Sequence, residues 1–122
     1  MLSKNFEDRE FGCNTIANEV ESSPEESLVL LKKNNILQIL VQLIVDSNFN
    51  VRVSAIGALI NISTCCGDVG NEELISQDIV KILISFLNAT KKIFMNRKLE
   101  GTEFSETTEY LKYVFQLLKS LW

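Results

Sequence analysis

The sequence has no histidine and carries three cysteines, Cys13, Cys65 and Cys66. Without an imidazole there is no ordinary base to activate a thiol, so a nucleophilic Cys65–Cys66 pair is not expected. The cysteines are odd in number and show no C-x-x-C spacing, which argues against a zinc site and against a disulfide framework. We expect no catalytic, cofactor-binding or metal-binding residues, no enzyme activity, and three reduced thiols of a cytoplasmic or nuclear protein.

Proline occurs once and glycine five times in 122 residues, which favours long regular elements. The longest apolar run, residues 36–45, is interrupted by Gln38 and Gln42 and falls short of the roughly 18 residues that a membrane span needs. The first ten residues are acidic and lack the basic start and apolar run of a secretory signal. The chain is therefore expected to form one folded domain without a membrane partner.

The net charge is −4, so basic side chains are too few for a stripe along a nucleic-acid backbone. Direct binding of nucleic acid is not expected. A basic polypeptide remains compatible with this charge.

The stretch 48–61, NFNVRVSAIGALIN, repeats an earlier part of the chain. Within residues 5–40, a shift of 43 residues without a gap gives eight identities. The matched residues are Asn5, Phe6, Arg9, Asn18, Leu31, Ile36, Ile39 and Leu40 with Asn48, Phe49, Arg52, Asn61, Leu74, Ile79, Ile82 and Leu83. A fixed offset of this size is typical of HEAT and armadillo solenoids.

Apolar spacing and capping residues predict helices throughout. The predicted helices are 6–20, 24–33, 35–46, 49–64, 72–77, 79–89 and 106–122, with loops over 65–70 and 91–105. Asn48, Asn71 and Asp78 are expected to cap the helices that follow them. Ser23 and Glu26 are expected to form a capping box ahead of Pro24, and Asn34 to take a left-handed conformation. The first helix is expected to bury Phe6, the helix from Ile79 to bury Val80, and the last helix to bury Phe115.

The predicted fold is all-α: a right-handed armadillo/HEAT-type solenoid of about two complete repeats plus a preceding helix. An armadillo repeat consists of three helices. Residues 1–21 would be a third helix alone, residues 24–64 one complete repeat, and residues 71–122 a second repeat with an insertion at about 90–105. The insertion is basic and then acidic, with Lys91, Lys92, Arg97 and Lys98 followed by Glu100, Glu103, Glu106 and Glu109. Because the last helix ends on an apolar pair, Leu121-Trp122, we expect missing repeats or another chain to cover it.

Four segments together resemble the start of the symportin family, the HEAT-repeat-containing protein 3 homologues. They are REFGCNTIANEV, NNILQILVQLIVDSNFNVRVSAIGALINIS, DIVKILISFL and the final LLKSLW after a charged insertion. The resemblance implies an adaptor that binds the two ribosomal proteins associated with 5S RNA, shields them, and escorts them from cytoplasm to nucleus with an import receptor. The alternatives are a generic armadillo scaffold for another protein, or a truncated product without cargo binding.

Three sets of residues are candidates for partner binding. Asn18 and Asn61 occupy matching places, and in armadillo proteins such amides hold the backbone of an extended peptide; simple polar helix ends are the alternative. Arg52, like Arg9, begins a third helix and is either a binding residue or a structural contact between repeats. Glu100, Glu103, Glu106 and Glu109 are either an acidic patch for a basic ribosomal protein or solvated loop charge.

Overall fold

The computed structural model describes residues 3–96 and 100–121, which form α-helices, one 3₁₀ turn and no strand. In chain order the described helices are α1 (Phe6–Ser22), α2 (Pro24–Lys33), α3 (Ile36–Gln42), α4 (Phe49–Cys65), α5 (Gly67–Ser76), α6 (Ile79–Asn96) and α7 (Gly101–Leu121). The 3₁₀ turn, Leu43–Val45, extends α3. The all-α prediction is confirmed for this part of the chain.

Two asparagines start the two longest early helices. Asn5 accepts a hydrogen bond from the Glu7 N–H at 2.9 Å, and Asn48 accepts one from the Val51 N–H at 3.2 Å. Each side chain thereby satisfies one of the amides that a helix start leaves unpaired. The same residue type caps helices at positions 43 residues apart in the sequence.

Two local predictions around α2 are wrong in detail. Pro24 begins α2 as predicted, but Ser23 makes no side-chain cap bond, so the capping box does not form. The Ser23 carbonyl instead accepts the Ser27 N–H at 2.9 Å. The left-handed residue is Asn35, with φ 57°, and not Asn34, because Asn34 is the C-cap of α2 and the left-handed residue of such a helix end follows the cap.

Both predicted loops are largely helical. Helix α5 begins at Gly67, so Asn71 lies inside it rather than capping it. Helix α6 continues to Asn96 and α7 already begins at Gly101, which has φ 62°. The physical reason is that apolar residues keep helical spacing across the polar insertion, and the first glycine after Gly70 is Gly101. Arg97, Lys98 and Trp122 lie outside the described residues.

Helix α4 is the centre of the packing, since it contacts α1 on one side and α7 on another, and also α5 and the 3₁₀ turn. Its fully buried residues, Val51, Ala55, Ile56, Ala58, Leu59 and Ile62, join one core that also contains Cys13, Val20, Leu28, Leu31, Leu37, Leu40, Ile44, Leu74, Ile79, Leu83, Tyr110, Val114 and Leu117. Phe6, Val80 and Phe115, predicted to be buried, are exposed instead. Phe6 is exposed as the first residue of α1, and Val80 and Phe115 lie at the edges of the apolar stripes of α6 and α7.

Among the described helices, none is by itself long and apolar enough to cross a membrane. Helices α2 and α3 reach the required length and hydropathy only as a pair, and they meet at 89°.

Tyr110 joins α7 to the turn after α3. Its hydroxyl donates to the Ile44 carbonyl in the core, its ring meets Phe86 edge-on at 5.1 Å between centroids, and burial raises its pKa. Tyr110→Phe should lower the free energy of unfolding by about 1–2 kcal/mol, since a buried carbonyl loses its donor. Urea unfolding measures this change. Tyr113→Phe is the control: its hydroxyl meets Glu109 at the surface, so an equal loss there would contradict the assignment.

Candidate protein-binding face of α1, α4 and α7

Arg9 and Asp46 form an ion pair that connects α1 to the turn before α4. The Arg9 Nε and Nη2 atoms donate to the two Asp46 carboxylate oxygens at 3.0 and 3.1 Å, and both side chains are at least 85% buried. Two parallel hydrogen bonds to a carboxylate are the strongest arrangement that an arginine makes. This pair therefore fixes the start of α1 against the turn that precedes α4.

Arg9 and Arg52 each donate a hydrogen bond to a backbone carbonyl just ahead of their own helix. Nη1 of Arg9 donates to the Ser3 carbonyl at 2.9 Å, and Nη1 of Arg52 donates to the Asp46 carbonyl at 2.9 Å. In both cases the acceptor lies six residues before the arginine. The Asn5 N–H likewise donates to the Ser3 hydroxyl, and the Asn48 N–H to the Asp46 carboxylate. The structure thus uses one local arrangement twice, 43 residues apart.

Asp46 was missed by the sequence analysis although it is central to this arrangement. Burial by itself would raise its pKa, but the hydrogen bonds from Arg9 and from the Asn48 N–H, with the charges of Arg9 and Arg52, outweigh burial and lower the pKa from 3.8. The sequence feature that could have identified Asp46 is its position in the repeat. Ser3 and Asp46 match under the 43-residue shift, and both are oxygen acceptors ahead of a capping asparagine.

Arg52 lies between α4 and α7 rather than on an open surface. Its guanidinium stands 5.7 Å from the Phe49 ring centroid and 5.4 Å from that of Tyr110. It also lines a cavity of about 150 Å³ with Glu103, Thr107 and other residues of α6 and α7. These are the contacts of an arginine that stabilises the packing of neighbouring helices.

Asn61 and Asn18 occupy different surroundings. The Asn61 amide donates to the Ala17 carbonyl of α1 at 3.1 Å, so it connects two helices and is half-buried. Asn18 is exposed. Ser120, at the matching place in α7, bonds instead to Ser63, and Asn71 donates to the Ser120 carbonyl at 3.3 Å. Of the three matching positions, 18 and 61 carry asparagine and 120 carries serine, and the Asn61 amide is already bonded within the fold.

Three helices nevertheless present matching rows of polar residues. Residues spaced by seven and then four lie on one side of a helix. The rows are Glu7, Asn14 and Asn18 on α1, Asn50, Gly57 and Asn61 on α4, and Glu109, Gln116 and Ser120 on α7. We call them together the polar face. All nine residues are exposed or half-buried.

Gly57 leaves the centre of the polar face without a projecting side chain. A Cβ atom built on Gly57 meets nothing within 4 Å, so no neighbouring group requires a glycine there. Glycine inside a helix costs about 0.5–1 kcal/mol relative to alanine. The position leaves open space above the α4 backbone. Its counterparts in the rows of α1 and α7 are Asn14 and Gln116.

The four candidate glutamates have different surroundings. Glu103 lines the cavity beside Arg52, whereas Glu109 accepts the Tyr113 hydroxyl at 3.3 Å and belongs to the polar face. Glu106 is half-buried one turn before Glu109, and Glu100 is exposed ahead of α7. The negative charge available to the polar face therefore comes from Glu106 and Glu109 on α7 and from Glu7 on α1.

The thiols show no sign of activation. Burial raises the pKa of Cys13 to about 11 and also raises that of Cys66, whose sulfur contacts the Pro24 carbonyl at 3.5 Å. Both are therefore protonated at neutral pH and weakly nucleophilic. In residues 3–96 and 100–121 no three Cys, Asp or Glu side chains group as metal ligands.

Comparisons with models of protein families, with curated protein sequences and with solved structures find no match for this chain. A binding role for the polar face therefore has to be inferred from its shape, its charges and the sequence resemblance.

Proposed function

We propose that this chain is a non-catalytic protein-binding module of the armadillo/HEAT type, and that the polar face of α1, α4 and α7 is where it binds its partner. The observation that carries the proposal is the recurrence of the arginine, asparagine and carbonyl contacts 43 residues apart. A local arrangement repeated at that interval is expected of stacked helical units. Helices α1, α4 and α7 are then the third helices of successive units in a right-handed solenoid.

The proposed ligand is an extended, basic polypeptide. A peptide backbone needs close approach and groups that donate or accept hydrogen bonds, and the space above Gly57 beside Asn14, Asn18 and Gln116 supplies both. Glu7, Glu106 and Glu109 at the rim favour a positively charged partner and raise its association rate. Asn61 contributes mainly by holding α4 to α1.

The sequence resemblance narrows the partner class. A symportin-like adaptor for the two 5S-associated ribosomal proteins would shield cationic segments of its cargo in the cytoplasm and travel with it, and with an import receptor, into the nucleus. The acidic rim suits such a cargo, because ribosomal proteins bind RNA through basic residues. The second candidate is a scaffold for a different protein, favoured by the use of the Asn61 amide inside the fold.

Binding of the two 5S-associated ribosomal proteins to the purified chain tests this proposal. The double variant Glu106→Lys/Glu109→Lys should weaken binding on the order of tenfold at low salt, because attraction at the rim becomes repulsion. The control Glu26→Lys/Glu72→Lys makes the same charge change at exposed positions of α2 and α5 and should bind normally. A complex that is insensitive to salt and to both variants contradicts charge shielding.

Gly57→Gln tests the shape of the face separately. Because the Cβ position is open, the variant should fold normally, while the longer side chain fills the space proposed for the peptide backbone. We expect a similar, roughly tenfold loss of ribosomal-protein binding without loss of helicity by circular dichroism. Unchanged binding would place the ligand elsewhere and favour the scaffold interpretation.

A further inference from the structure

The outer side of the α6–α7 hairpin is an apolar groove that no other described helix covers. The groove has a volume of about 320 Å³ and is lined by Leu87, Thr90, Lys91, Phe94, Met95, Leu111 and Phe115. Met95 is 73% exposed and Phe115 is 56% exposed. We call this groove, together with the lysines beside it, the tail surface. Exposed apolar side chains gathered in one groove are typical of an interaction site.

The charge around the tail surface is positive. Lys91 lines the groove, and Lys112 and Lys119 lie three residues before and four residues after Phe115, which places them on the same side of α7. Helix α6 contains no acidic residue between Ile79 and Asn96. Of the α7 glutamates, Glu103 lines the inner cavity, Glu109 belongs to the polar face, and Glu106 lies one turn before Glu109. A partner for this groove should therefore carry acidic side chains around an exposed apolar side chain.

Helix α1 carries such a surface at the opposite end of the stack of third helices. Asp8, Phe11, Thr15 and Glu19 are all exposed and lie on the side of α1 away from Cys13 and Val20. Phe11 is 73% exposed and is the large apolar residue of this side. We call these four residues the head surface.

The repeat relates the head surface to a surface that is already packed. Under the 43-residue shift Asp8, Thr15 and Glu19 match Val51, Ala58 and Ile62, which are buried in α4. Likewise Lys119 matches Ile60 of α4 when Ser120 is matched with Asn61, and Ile60 is buried. Asp8, Thr15, Glu19 and Lys119 thus have buried apolar counterparts, whereas Phe11 matches the half-buried Ser54. The two end surfaces carry opposite charges, with Asp8 and Glu19 on the head surface and Lys119 on the tail surface.

We infer that the tail surface binds the head surface of a second copy of this chain, so that copies associate head to tail. Phe11 of one copy enters the groove between α6 and α7 of the other, and Asp8 and Glu19 approach Lys91, Lys112 and Lys119. Pairing of two tail surfaces would bring lysines together, and pairing of two head surfaces would bring carboxylates together. Opposite charge therefore selects the heterologous arrangement, which extends with concentration instead of stopping at a symmetric dimer.

Sedimentation of the whole chain over a range of concentrations tests the inference without any cargo, so its outcome is independent of ribosomal-protein binding. The average mass should rise with concentration and fall when salt is added. The head variant Asp8→Lys/Phe11→Ser and the tail variant Lys119→Glu/Phe115→Ser should each weaken self-association at least about tenfold. Circular dichroism checks that both variants remain helical.

Matched controls change one charge and one exposed apolar residue elsewhere. These are Glu72→Lys/Val69→Ser on α5 and Lys33→Glu/Val29→Ser on α2, and both should associate like the unmodified chain.

Mixing the head and tail variants gives the decisive result. Each keeps one intact surface, so the mixture should form a discrete one-to-one dimer that neither variant forms alone. A monomeric unmodified chain, a mixture that stays monomeric, or variants that associate normally would each overturn the head-to-tail arrangement.

Discussion

Gly70→Ala is expected to destabilise the fold by about 2–3 kcal/mol, the cost of forcing atoms into a packed interior. Gly70 lies in α5 against the end of α4, and a Cβ there would stand 2.6 Å from the Ile62 carbonyl oxygen and 2.7 Å from the Cys66 Cβ. The oxygen belongs to the backbone, so relief requires α5 to move away from α4. Urea unfolding followed by circular dichroism measures the difference.

Gly57→Ala is the matched control and should have the opposite sign. The same substitution in α4 adds a methyl group to open space and removes the flexibility of a glycine in mid-helix. We expect a gain of about 0.5–1 kcal/mol. If both alanine variants change stability in the same direction, the close approach of α5 to α4 is incorrectly described.

Asp46→Asn should cost about 2–4 kcal/mol at neutral pH, because Arg9 keeps its partly buried charge but loses the opposite one. The amide oxygen of asparagine can still accept the Asn48 N–H, so the turn before α4 is retained. Unfolding in urea at neutral pH gives the loss directly. Glu7→Gln, a charge removal at an exposed position of α1, is the control and should change stability by less than about 0.5 kcal/mol.

The same residue gives a pH dependence with a definite sign. The pKa of Asp46 is lower in the folded chain than its ordinary value of 3.8, so the folded state releases this proton more readily than the unfolded state. The contribution of Asp46 is therefore complete above that ordinary value and is lost as pH falls through the lower folded pKa. The stability difference between the unmodified chain and Asp46→Asn should shrink below about pH 4. A difference that stays constant into that range would contradict the ion pair.

Helix positions were predictable where a local signal is strong. Pro24 and the asparagines Asn5 and Asn48 mark helix starts within a few residues, because their preference arises from their own backbone and side-chain chemistry. The helical parts of the polar insertion are missed when its charge is given more weight than the spacing of its apolar residues. Phe94 follows Leu87 by seven residues, and that interval continues the helix regardless of the lysines between them.

The equivalence of Arg9 and Arg52 was predictable from the repeat, but their contacts were not. Pattern alone cannot show that Asp46 connects to both of them, since its contact with Arg9 joins residues 37 apart. Glu103 and Glu109 have similar sequence surroundings, and only the direction in which each faces from α7 separates the Arg52 cavity from the polar face. Tertiary contacts of this kind depend on how helices pack, which local residue preferences do not determine.

Amide chemical shifts of the isotope-labelled chain, followed while a basic ribosomal-protein segment is added, test the binding of an extended basic partner most directly. The account predicts shifts at Asn50, Gly57 and Asn61 of α4, accompanied by shifts along the matching rows of α1 and α7. Shifts confined to α2, α3 and α5, or no shifts at all, would contradict a binding face on these three helices.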